Sequence, residues 1–193
     1  MNKSSVVIYK NLPALVGERD GDKFLVEWCV SRATSTGKKA VYASQKVREK
    51  DVILLCEGAA SSIDALLDFA ETALGENSEV KAQIAETHEL LLSDEETAAA
   101  EQSFKDMAEL LRGELKADES WGIYSVLKAS FEFEESQRDG SVYFVPRSQE
   151  KIKELKNKAY EKEHADELRA AFIERLKAKN LLPEDSKYMG DVE

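Results

Sequence analysis

With 193 residues, 42% of them hydrophobic and 34% charged, the chain is long enough for one sizeable core or two small ones. No apolar run approaches the roughly 18 residues a bilayer span needs, and no small-residue cleavage site follows the short apolar patch near the start. No export signal is read, and a cytoplasmic protein without membrane contact is expected.

The net charge of −11 is segregated along the chain. Residues 1–56 carry ten Lys and Arg against six acids, residues 57–150 carry seven against twenty-two, and residues 151–193 carry ten of each. The first segment tolerates a polyanion and the second repels one.

Residues 1–57 read as short strands. Val6-Val7-Ile8-Tyr9, Pro13-Ala14-Leu15-Val16, residues 24–30, residues 39–43 and Val52-Ile53-Leu54-Leu55 are β-branched, aromatic or alternating. The run Glu18-Arg19-Asp20-Gly21-Asp22 predicts a hairpin turn, and residues 31–37 a polar loop. At this length such strands must close on themselves to bury a face, which predicts a small SH3-like β-barrel.

Residues 57–61, Glu-Gly-Ala-Ala-Ser, mark a break, and a helical domain follows over 58–147. Ser62 is placed to cap a helix ending at Gly75, and a second helix is expected over about 78–92. Ser93-Asp94-Glu95-Glu96 predicts the start of a third, carrying Phe104, Met107, Ala108 and Leu111 as far as Gly113. Residues 120–147 then change period. A short helix with Trp121, Tyr124, Val126 and Leu127 gives way to a two-stranded hairpin turning at Asp139-Gly140. Helices followed by such a hairpin read as a winged-helix domain. A long helix capped by Ser148 is expected to run to about residue 182, ending at Pro183, so that 148–193 form a third segment. The expected class is α+β.

Few residues invite catalysis. His88 and His164 lie in no HxxxH or HExxH pattern, and Cys29 and Cys56 lack a CxxC partner and read as free thiols. No GxSxG, GxxxxGK[ST] or GxGxxG occurs, and the acidic runs at 94–96 and 132–135 read as solvated faces. Binding signals are better. Lys38, Lys39, Lys46, Arg48 and Lys50, with Trp28 and Tyr42, combine cations with stacking surfaces, the mixture that binds single-stranded nucleic acid on small barrels. The competing reading places both aromatic rings in the sheet's core. Arg138 and Arg147 are the basic residues beside the hairpin that can touch a backbone. The acid surplus of the middle segment argues against duplex DNA.

Longer motifs carry a resemblance. SSVVIYKNLPALVGERDGDKFLVEW, QKVREKDVILLCEG, the later AELLRGE with Trp121, and Tyr143-Phe144 with Pro146-Arg147-Ser148 before a helix are the relevant stretches. Together, over about residues 4–182, they resemble the N-terminal region of ribonuclease II (RNB) exoribonucleases of the bacterial branch that carries a winged-helix module. The resemblance implies a 3′→5′ exoribonuclease acting on single-stranded RNA. Its magnesium-binding aspartates would sit in a downstream RNB domain, followed by an S1 domain. None of those aspartates can be placed in this chain, so no catalytic residue, metal or cofactor is assigned to it and it is expected not to cut RNA by itself. The alternative is a protein-interaction adaptor that docks through the acidic helical part and binds no nucleic acid.

Overall fold

A computed structural model of the chain describes residues 1–32, 39–76, 78–180, 182, 183, 185 and 186. Two compact units emerge, Met1–Ser148 and Gln149–Glu193. The class is α+β, with a five-stranded antiparallel sheet, a three-stranded sheet and seven helices among the described residues.

The first sheet contains β1 (Val6–Tyr9), β2 (Leu12–Asp20), β3 (Lys23–Ser31), β4 (Val41–Arg48) and β5 (Ile53–Cys56), in the order β4-β3-β2-β1-β5. Lys10 and Asn11 join β1 to β2 as a two-residue loop with φ of 52° and 61°, the left-handed pair that matches strand twist in tight hairpins. The expected closed barrel does not form, because β4 and β5 do not pair with each other. β5 has only four residues, and the Leu54 N–H on it donates to the Gly140 carbonyl at 3.0 Å, so a hairpin tip takes up the Leu54 end of that edge.

Alternation along β1 divides the sheet between two cores. Val7 and Tyr9 join Ala14, Val16, Val26, Trp28 and Val47 in a cluster drawn from the sheet and its connections. Val6 and Ile8 point the other way, into a cluster with Leu55, Leu66, Phe104, Tyr124 and Phe144. The break at 57–61 is therefore a junction inside one unit, with the sheet's second face covered by the helices.

The helices of this unit are α1 (Ile63–Leu74), α2 (Glu79–Leu92), α3 (Glu95–Ala98), α4 (Phe104–Arg112) and α5 (Ala117–Ala129). Ser62 caps α1 by accepting the Ala65 N–H at 3.0 Å. The single helix expected over 93–113 is instead broken. Ser103 caps α4 by accepting the Asp106 N–H at 3.2 Å, and β6 (Gln102–Ser103) immediately before it pairs with the hairpin. The hairpin is β7 (Phe133–Arg138) and β8 (Ser141–Pro146), turning at Asp139 and Gly140 with φ of 52° and 72°. The second sheet runs β6-β8-β7.

In the C-terminal unit the expected long helix is two, α6 (Gln149–Glu163) and α7 (Ala165–Lys177). His164 interrupts them at φ −104°, ψ 21°. Its ring stacks on Tyr160 at 4.1 Å, and its Nδ1 donates to the Tyr160 carbonyl, which already accepts the His164 N–H. The buried Asp185 takes both Arg175 Nε and the Leu182 N–H, tying the chain after α7 back to it. No described helix is long and apolar enough to cross a membrane.

Candidate nucleic-acid interface

Strand register decides what the predicted aromatic and basic residues can do. Trp28 pairs across the ladder with Ala43, and Tyr42 pairs with Cys29. Trp28 and Tyr42 therefore project from opposite faces of the sheet and form no common stacking surface. Trp28 is buried, edge-on to Tyr9 with ring centroids 5.0 Å apart, and belongs to the sheet's own core.

Tyr42 is exposed, and its hydroxyl donates to Asp64 Oδ2 at 2.6 Å. That bond to a carboxylate pushes the phenol up to about 12, because ionising it would set two negative oxygens side by side. The folded-state value lies above the ordinary one of 10, so this bond stabilises fully below 10 and is lost as pH rises through about 12. Tyrosinate absorbance titrations should show a late-ionising tyrosine in the wild type that Asp64→Asn moves back toward the ordinary range. Superimposable wild-type and Asp64→Asn curves would refute the bond.

Lys46 and Arg48 lie on β4. Lys46 pairs with Asp20 at 2.6 Å, holding that carboxyl below its usual range, and Arg48 pairs with Asp22 at 3.2 Å. Both cations are exposed, and they are partly neutralised by the β2–β3 turn. Lys39 is exposed just before β4, and Lys38 lies outside the described residues. Arg147 is committed internally. Its Nη1 donates to the Ser130 and Phe131 carbonyls at 3.4 and 3.3 Å, and its own carbonyl accepts His88 Nε2 at 2.8 Å.

Lys50 and Arg138, distant in sequence, come together. They line a groove of about 480 Å3 with Lys10, Asn11, Gln137 and the backbone of Gly140, floored by Ile8 and Ile53. Three turns converge there: the β1–β2 loop, the 3-10 turn Glu49–Asp51 and the β7–β8 tip. The Leu54–Gly140 bond fixes the hairpin tip against the sheet. Three cations and two acids, Asp51 and Asp139, line the groove, and with Glu101 beside it pairing with Arg138 the groove is close to neutral within an acidic unit. Lys10 Nζ sits 5.0 Å from the Tyr9 ring and 5.1 Å from the Trp28 ring, a cation over aromatic faces. Arg138 lies 4.4 Å over Tyr143 and pairs with Glu101.

Lys10 was not singled out by sequence. Its signal is the two-residue turn that places it at a hairpin tip, but nothing in the sequence says which tips become neighbours. Among the described residues, no three His, Cys, Asp or Glu side chains gather closely enough to hold a metal ion. No protein-family model matches the chain, nor does any curated protein or solved structure.

Proposed function

We propose that this chain is the N-terminal, RNA-guiding region of a ribonuclease II-like 3′→5′ exoribonuclease, with RNA cleavage carried out by a magnesium-dependent RNB domain outside these residues and an S1 domain beyond it. Single-stranded RNA is its partner, held by backbone phosphates and not by base edges. The observation that carries the reading is the gathering of Lys10, Lys50 and Arg138 from three separate turns onto one groove, inside a unit whose surface is otherwise dominated by acids.

The helices α2, α4 and α5 followed by the β7–β8 hairpin fit a winged-helix arrangement, and the open five-stranded antiparallel sheet fits an SH3-like one left unclosed. In that arrangement α5 takes the place of a duplex-reading helix. Six of its thirteen residues are buried and only Lys128 and Ala129 are exposed, which disfavours insertion into a major groove. A single strand passing the hairpin tip needs no such helix.

Binding of labelled single-stranded RNA across a salt series tests the reading. Each lost phosphate contact lowers the slope of log K against log salt by about 0.7 for single strands, so Lys10→Glu, Lys50→Glu and Arg138→Glu together should reduce it by roughly 2 and weaken binding at least about tenfold. With magnesium present the RNA should remain intact. Wild-type chain that binds no RNA at low salt would sink the proposal and favour the adaptor, and a triple variant that binds like wild type would remove the groove from it.

A further inference from the structure

A second groove, of about 500 Å3, opens where the outer strands of the two sheets approach α4. Its chemistry is unlike that of the first. Leu54 and Leu115, both half-buried, supply apolar surface over the buried Phe104 and Val142, while Glu57, Glu109 and Glu114 contribute three exposed carboxylates. Lys105, the cationic side chain on it, stands 3.8 Å from Glu109 on the same helix, and the N-terminal ammonium of Met1 stands 3.8 Å from Glu57, which leaves Glu114 as the rim's net negative charge. Phosphates are repelled by such a rim, so RNA is not its occupant.

Two features define what fits. β5 is the last strand of the first sheet and β6 the last of the second, and residues 54–58 and 103–105 line the groove. Outer strands are where an extended segment lies alongside a sheet, its alternate side chains entering pockets. The Leu54–Gly140 bond closes one end, which limits the segment to a short stretch. The surplus of carboxylates, set in a segment with twenty-two acids against seven bases, selects cationic groups on either side of the apolar contact.

We infer that this groove docks a short extended segment of a partner protein, one whose aliphatic side chains fill the floor between flanking arginines or lysines. The inference stands apart from RNA guiding and does not depend on it. The cations of the first groove and the carboxylates of the second give the unit two chemically different docking surfaces.

Fluorescence anisotropy on the full chain tests it, using a labelled peptide with a Val-Leu-Val centre flanked by arginines. Saturable binding is expected. It should weaken at least about tenfold with Glu109→Lys plus Glu114→Lys, and remain unchanged with Lys10→Glu plus Lys50→Glu. A peptide with the same arginines around a Gly-Ser-Gly centre should bind at least about tenfold more weakly, and this comparison requires no change to the protein. Equal binding of the two peptides would reduce the site to general charge attraction and overturn the inference. So would a double glutamate variant, shown to be folded by its melting curve, that binds like wild type.

Discussion

Gly122→Ala is expected to destabilise the Met1–Ser148 unit by about 1–3 kcal/mol, although alanine is the better helix former by about 1 kcal/mol. Gly122 sits in the middle of α5, where it faces α1. A Cβ there would lie 2.4 Å from Phe69 Cδ1, 2.9 Å from Cε1 and 3.1 Å from the Ala70 Cα. The phenyl ring can turn aside, but the Ala70 backbone moves only if the two helices separate. Gly122→Val adds two more methyl groups at the same point and should cost more. Urea unfolding with an unchanged slope and a lower midpoint is the expected readout. An alanine variant as stable as wild type would mean that Phe69, only partly buried, yields without disturbing α1.

A larger loss, about 3–5 kcal/mol, is expected for Phe144→Ala. Phe144 is fully buried on β8, with Phe104 and Tyr124 as ring neighbours at 6.5 and 6.4 Å and Gln102 and Glu135 opposite it on the flanking strands. Truncation leaves a cavity walled by α4, α5 and the flanking strands, so little collapse can fill it. Against the about 5–15 kcal/mol of stability usual for a small domain, that loss is a large share. The two tryptophans report the outcome, Trp28 from the sheet's own core and Trp121 from beside the helical one. Single-tryptophan versions of the variant should lose both signals in one transition at the same denaturant concentration. Separate transitions would show that the cores are independent, against their sharing β1.

Local chemistry was legible in the sequence wherever a residue acts on its near neighbours. The Ser62 cap, the Asp139-Gly140 turn and the strands at Val6 and Phe24 all stand where their residue types placed them. The break before α4 was legible too, since Ser103 with Asp106 is a cap of the same kind, but the apolar spacing of Phe104, Met107 and Leu111 concealed it. The interruption at His164 rests on a ring-to-carbonyl bond that no spacing announces.

The candidate site was harder to read because its parts are joined only by tertiary packing. The charges of Lys46 and Arg48 were visible, but their neutralisation by Asp20 and Asp22 depends on the β2–β3 turn lying beside β4. The opposed directions of Trp28 and Tyr42 follow from a register that needs both strands. Lys10, Lys50 and Arg138 meet only because the hairpin tip is bonded to the edge of the first sheet.

All four residues of β1 are buried, yet the groups that cover its two sides lie far apart along the chain. Trp28 and Val47 can cover one side soon after it is made, whereas Tyr124 and Phe144 on the other are added much later. During synthesis on a ribosome, Val6 and Ile8 therefore wait as a sticky aliphatic strip until the last hairpin emerges, and pairings of such long sequence separation form slowly. A nascent chain stalled before β8 should be the species that recruits a chaperone, while the acids crowding residues 57–150 keep such unfinished chains from associating with one another.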